Sequence, residues 1–240
     1  MRAPVTAPAG APQSAPTPAP NERVRVKICG ITSAADAVLA AELGADYLGL
    51  NFYHASPRCL TAARAREIAA AVRGAVPRVE LVGVFVNQPA AEVEELALGA
   101  GLDLLQFSGD EGPERLRPVA ARAIKAFRSA GPPAAAELAA FGGLFGVLVD
   151  AAHRTLYGGT GLAWDYGSLA RAASTAGRSL ALGGRRLFLA GGLGPDNIRR
   201  AVAAVRPFAV DVCSAVESTP GSKDRELLRR LFQEVRHDEA

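Results

Sequence analysis

From residue 23 onward, eight short apolar runs alternate with eight stretches of helical period, and this alternation constrains the fold more than any other feature. The runs are 24–29 (VRVKIC), 47–52, 80–86, 103–107, 122–127, 145–150, 187–190 and 208–213. The helical pattern predicts helices over about 33–43, 61–74, 89–99, 112–118, 133–141, 166–177, 195–204 and 223–236. Helix start signals stand at Thr32 or Ser33, Thr61, Pro89 and Pro195-Asp196, and Gly44 and Gly74 sit where helices should end. Such units build a parallel sheet, and eight of them close into an α/β fold of the (β/α)8 TIM-barrel type. An open doubly wound sheet usually has fewer strands and a glycine-rich turn after the first; here CGIT holds a single glycine. One barrel domain is expected over 23–240, preceded by a disordered Pro/Ala-rich tail at 1–22 that cannot bury a core.

Composition narrows the class of function. The 240 residues are 49% hydrophobic, and 27 basic against 24 acidic residues leave a net charge of only +3. No basic cluster is interleaved with aromatics, so nucleic acid is not an expected partner. No apolar run approaches the ~20 residues needed to cross a bilayer, and the tail lacks the continuous apolar stretch of a secretory signal. Three cysteines do not read as a disulfide framework and point to a reducing cytoplasm. His54, His153 and His237 have no metal-ligand spacing with the cysteines, so no metal is expected.

A barrel turns position into a filter, because catalytic residues sit at the C-terminal ends of its strands. The polar candidates passing that filter are Cys29, Asn51, Asn87, Gln106, Asp150, Gly191-Gly192 and the segment CSAVES at 213–218. Strand alternation puts Arg25, Lys27 and Cys29 on one face of strand one and Val24, Val26 and Ile28 on the other. The apolar face should meet the helices, which turns Lys27 and Cys29 into the barrel. A buried lysine needs a partner, and Asp211, on the strand that closes against the first, is the expected one. That ion pair beneath Cys29 could lower the thiol pKa; the plainer reading is a cysteine serving as a small buried hydrophobe.

Asp150 could be a helix cap, a loop solvator or a catalytic acid. LAGGLGPDNI (189–198), with Gly191 and Gly192, and CSAVESTPGSKD (213–224), with Ser214, read as anion sites in the loops after strands seven and eight. The cluster GGTG at 158–161 reads as a lid or close-approach loop. Arg58 in SPR follows strand two, and its fork suits a carboxylate, unless it is a solvated surface arginine.

Taken in order, KICGIT, SPR, VGVFVN, GGTG, LAGGLGPDNI and DVCSAVESTPGSKD resemble phosphoribosylanthranilate isomerase from about Val24 to the last helix. The resemblance implies a cofactor-free Amadori rearrangement of a small phosphorylated substrate by a monomer or homodimer. It implies Cys29 as general base, Asp150 as general acid, Arg58 on the anthranilate carboxylate, and Gly191, Gly192, Ser214 and Ala215 around the phosphate. Lys27 and Asp211 would support the thiol. Two departures from the family pattern stand out. QFSG puts Ser108 where the family has histidine, and Cys213-Ser214-Ala215 replaces serine-serine-glycine. Ala215 would be strained if its φ were positive. The alternatives are another phosphosugar barrel, such as an indole-glycerol-phosphate synthase, and a degenerate barrel kept for binding.

Overall fold

A computed structural model describes residues 23–128, 133–150 and 186–236. The proposed tail, the GGTG loop and the predicted helix over 166–177 lie outside the described residues.

Eight parallel strands close in sequence order into a barrel: β1 (Arg25–Cys29), β2 (Tyr47–Asn51), β3 (Glu80–Phe85), β4 (Leu104–Phe107), β5 (Ala123–Arg128), β6 (Gly146–Asp150), β7 (Arg186–Ala190) and β8 (Ala209–Val212). The (β/α)8 expectation is met, with strand ends displaced by at most one residue. Alternation sorts the two faces as anticipated. Val26 and Ile28 of β1 join the outer core against the helices, while Tyr47, Val82, Ile124, Leu148 and Phe188 fill the interior. Full burial of such side chains contributes about 1.5–3 kcal/mol each. The N-terminal mouth is plugged by Phe145 and Phe208, with the Arg186 and Arg25 guanidiniums lying 4.4 Å over their respective rings.

Helix α1 (Ala34–Leu43) is capped by Ser33, whose Oγ accepts from the Asp36 amide at 3.1 Å. It ends at Gly44 in the left-handed region (φ 112°). Helix α2 (Ala62–Ala75) is capped by Thr61 but runs through Gly74 and closes at Val76. No atom lies within 4 Å of a Cβ placed on Gly74, so the helix passes through it on an open side. Helix α3 (Ala90–Ala100) follows Pro89. After β4 the predicted helix shrinks to Pro113–Leu116 and a 3-10 segment, Arg117–Arg122.

Two further corrections concern the last two helices. The helix expected from Pro195 begins at Ile198, because Asn197 folds back on its own loop. The last helix begins at Arg225 rather than 223. Asp224 Oδ1 accepts from the Glu226 and Leu227 amides, and Lys223 belongs to a small antiparallel hairpin, β9 (Glu217–Thr219) and β10 (Ser222–Lys223). No helix among the described residues is long and apolar enough to cross a membrane.

Candidate active site

Cys29 ends β1 at the C-terminal mouth, half-buried, and Lys27 lies one inward position below it, 0% exposed. Register pairs Lys27 with Asp211, and the Lys27 ammonium donates to Asp211 Oδ1 at 2.9 Å. The anticipated ion pair is therefore present. Room for it comes from Gly49 on β2, which sequence reasoning missed. A Cβ there would stand 2.8 Å from Cys29 Sγ and 3.1 Å from Lys27 Nζ. The available signal was a glycine in the interior of a strand.

The charges in this pocket are interdependent. Hydrogen bonding from the Cys213 thiol, followed by the nearby ammoniums of Lys27 and Lys223, holds the Cys29 thiol well below its usual range against the opposing effect of burial. Cys213, as the donor of that bond, is pushed far up. Burial raises the Asp211 carboxyl to about 7, Lys27 opposing and the charges of Cys29 and Asp150 adding to the rise. Burial also works to neutralise Lys27, yet Asp211 and Cys29 keep it more firmly protonated than an ordinary lysine. These shifts favour a charged Lys27 while leaving Asp211 free to take a proton. The 2.9 Å contact and the two acidic partners favour the cation, so one ammonium serves two acids that need not both be ionised.

Gly30 continues the strand in the left-handed region (φ 74°), where a Cβ would fall 2.4 Å from Arg58 Cδ and 3.0 Å from Cys213 Sγ. It clears space for Arg58 and for a second thiol. Arg58 is not a solvated surface arginine. Its side chain is 18% exposed and its Nε donates to Glu217 Oε1 at 2.9 Å, with a second bond from Nη2 to Oε2. That hydrogen bonding to Glu217 raises the guanidinium pKa further. Glu217 also accepts from Lys223 Nζ at 2.8 Å, and the same ammonium donates to the Cys29 carbonyl at 2.7 Å and the Cys213 carbonyl at 3.2 Å. Lys223 thus ties the ends of β1 and β8 together. Sequence reasoning missed it by assigning it to the last helix.

Asp150 ends β6, half-buried, in register with Ala190 at the end of β7. Gly191 (φ 93°) and Gly192 (φ 62°) follow immediately, and both need the left-handed region. Asn197 braces this loop, its Oδ1 accepting from the Gly194 amide and its Nδ2 donating to the Gly192 carbonyl, each at 2.9 Å. Ser214 and Ala215 lie in a 3-10 turn, Ser214–Val216. The strain feared at Ala215 does not arise. Among the described residues only Asn87 and Arg206 combine a side chain with positive φ. The Ala215 methyl instead approaches Gly194, where a Cβ would meet it at 2.7 Å.

The remaining filtered residues do local work. Asn51 Oδ1 accepts from the Tyr53 amide, and Asn87 pairs with Asp110 across its loop. Gln106 Nε2 donates to Ser108 Oγ at 3.0 Å, so Ser108 takes part in a polar contact at the end of β4. The structure thus gathers Cys29, Lys27, Asp211, Arg58 and Ser214-Ala215 around the β1–β8 junction, with Asp150, Gly191 and Gly192 at the ends of β6 and β7 on the same mouth.

Comparison with known proteins agrees with this geometry. Residues 26–234 match the family model described as N-(5'-phosphoribosyl)anthranilate (PRA) isomerase. The N-(5'-phosphoribosyl)anthranilate isomerase of Geobacter sulfurreducens is 46% identical over 218 residues, covering 86% of this chain and 98% of its own. The crystal structure of phosphoribosyl anthranilate isomerase from Thermotoga maritima superposes with a TM-score of 0.77 at 35% identity, covering 89% of this chain and 98% of that one. A structure of the enzyme in complex with reduced 1-(o-carboxyphenylamino)-1-deoxyribulose 5-phosphate is 34% identical with a TM-score of 0.69, again over 89% and 98%. The chain therefore belongs to the N-(5'-phosphoribosyl)anthranilate isomerase family, isomerases of tryptophan biosynthesis.

Proposed function

We propose that this chain converts N-(5-phosphoribosyl)anthranilate to 1-(2-carboxyphenylamino)-1-deoxyribulose 5-phosphate with Cys29 as general base and Asp150 as general acid. Asp150 protonates the furanose ring oxygen. The C1–O bond then breaks as the anilino nitrogen lone pair forms a C1=N Schiff base. That Schiff base acidifies C2, and the Cys29 thiolate removes the C2 proton to give an enolamine, which tautomerises to the ketone. Apart from the acid-assisted opening of the C1–O bond, every step is a proton transfer and none changes the net oxidation state of the substrate, so the reading requires no cofactor. A base and an acid on separate strands with different surroundings suit this division of roles.

The observation that carries the reading is the position of Cys29, at a strand end over a buried ammonium that favours its thiolate. Arg58 would meet the anthranilate carboxylate. Glu217 takes its Nε–Nη2 edge, which leaves the Nη1 side for substrate. The backbone of Gly191, Gly192, Ser214 and Ala215 would hold the phosphate, since the loops after the last two strands of such barrels commonly do so. Lys27 and Asp211 would keep the thiol in its working state.

The test is turnover of freshly prepared phosphoribosylanthranilate, followed by fluorescence with spontaneous substrate decay subtracted. Wild type should turn over, and Cys29→Ser and Asp150→Asn should each lose roughly a thousandfold in kcat. Absence of wild-type turnover at saturating substrate would overturn the assignment.

A further inference from the structure

We propose that Cys29 and Cys213 form a reversible oxidation site, in which a peroxide-class oxidant closes the two thiols into a disulfide across the β1–β8 junction. Register pairs Ile28 with Val212, so the residues that follow, Cys29 at the end of β1 and Cys213 just past β8, stand side by side at the barrel mouth. The hydrogen bond from the Cys213 thiol to Cys29 puts the two sulfurs in contact. Adjacent strands run about 4.8 Å apart, within the roughly 4.4–6.8 Å Cα separation that a disulfide spans. Lys223 Nζ holds the carbonyls of both cysteines, at 2.7 and 3.2 Å, and so fixes that separation. Gly30 and Gly49 border the two sulfurs, and neither has a side chain that could block their approach. Both cysteines are free and half-buried, within reach of a small oxidant.

The neighbouring cations supply the reactivity. Lys27, Lys223 and Arg58 all lie close enough for their charges to act on these thiols. The Cys29 thiolate attacks one oxygen of hydrogen peroxide, the O–O bond breaks, and hydroxide leaves, so that the sulfur becomes a sulfenic acid. The Cys213 sulfur, on losing its proton, attacks that sulfenic sulfur; the S–O bond breaks and the departing hydroxide is protonated to water. Two thiols and one peroxide thus give one disulfide and two waters, with two electrons passing from sulfur to oxygen. Cys59 stands outside this chemistry. It lies in the loop after β2, its thiol donates to the neighbouring Leu60 carbonyl, and burial raises its pKa.

The effect on activity rests on the reading of Cys29 as the base, so the test separates the two claims. The full chain, freshly reduced, is treated with a small excess of hydrogen peroxide, denatured and titrated for thiols, and its peptides are mapped by mass. Thiols should fall from three to one, and a linked peptide pair should carry Cys29 and Cys213 with two hydrogens lost. Dithiothreitol should restore all three. Cys59→Ser should form the same link, whereas Cys213→Ser should form none and carry Cys29 forward as sulfenic or sulfinic acid. Retention of three thiols, a link through Cys59, or Cys29 sulfinic acid without a bridge in the unmutated chain would overturn the proposal. Turnover lost with the bridge and regained with dithiothreitol supports both claims. A bridge that leaves turnover intact keeps the oxidation site and removes Cys29 from the role of base.

Discussion

Of the buried lysine–carboxylate pairs among the described residues, the two whose lysines stand on barrel strands differ in what surrounds them. Lys125 of β5 points outward, since Ile124 and Ala126 line the interior, and its ammonium meets Glu111 at 3.1 Å and the Gly109 carbonyl at 2.6 Å. Glu111 in turn accepts from the Asn87 amide at 2.7 Å and the Gly109 amide at 2.9 Å. Backbone groups saturate both charges, so the pair pins the loops after β3 and β4 and has little left to offer a ligand. Lys27 of β1 points inward to Asp211, and the further partner of its ammonium is the Cys29 sulfur. A lysine paired with a carboxylate makes a staple where main chain completes it, and a thiolate support where a reactive group does.

The largest expected effect breaks the staple. Glu111→Ala should leave Lys125 buried without its counter-charge and cost about 3–5 kcal/mol in denaturant unfolding, with kcat of the folded fraction within roughly threefold of wild type. A large loss of kcat without loss of stability would erase the distinction between the two pairs. Next comes Lys27→Met. Removing the ammonium lets the Cys29 pKa rise toward the ordinary ~8.5 of a free thiol. A base fails when pH falls below its pKa, so the acid limb of kcat/KM should move to higher pH and turnover at pH 7 should drop roughly a hundredfold. An unshifted acid limb would show that Lys27 does not act through the thiol.

A smaller effect is expected at Arg58→Lys, which keeps the charge but loses the fork shared with Glu217. KM should rise about tenfold and kcat change less. The smallest is Ala215→Gly. With no positive φ to relieve, stability should stay within about 0.5 kcal/mol and KM within about twofold, as binding of a phosphate-containing inhibitor would check.

Much of this was legible in the chain. Period and alternation are local properties, so the eight strands, their inward faces and the mouth that carries Cys29 and Asp150 could be read directly. Even Lys27 with Asp211 followed, because a buried lysine demands a counter-charge and barrel closure brings β8 beside β1. Lys223 was not legible, because its helical-looking context hid a hairpin residue buried against two strand ends. Nor was the conformation of Ala215, since backbone dihedrals in an irregular turn answer to packing rather than to residue type.

The sequence alone determined the architecture and the face on which chemistry can occur, because hydrophobic period selects strands and helices, and eight of each in alternation close in only one common way. Apart from Lys27 with Asp211, tertiary structure decided which charges meet at the mouth. Arg58 and Glu217 are 159 residues apart, and three donors converge on one Glu217 carboxylate only after the barrel closes. Ion pairing depends on distance through space and on desolvation, and neither quantity exists until the strands are in register.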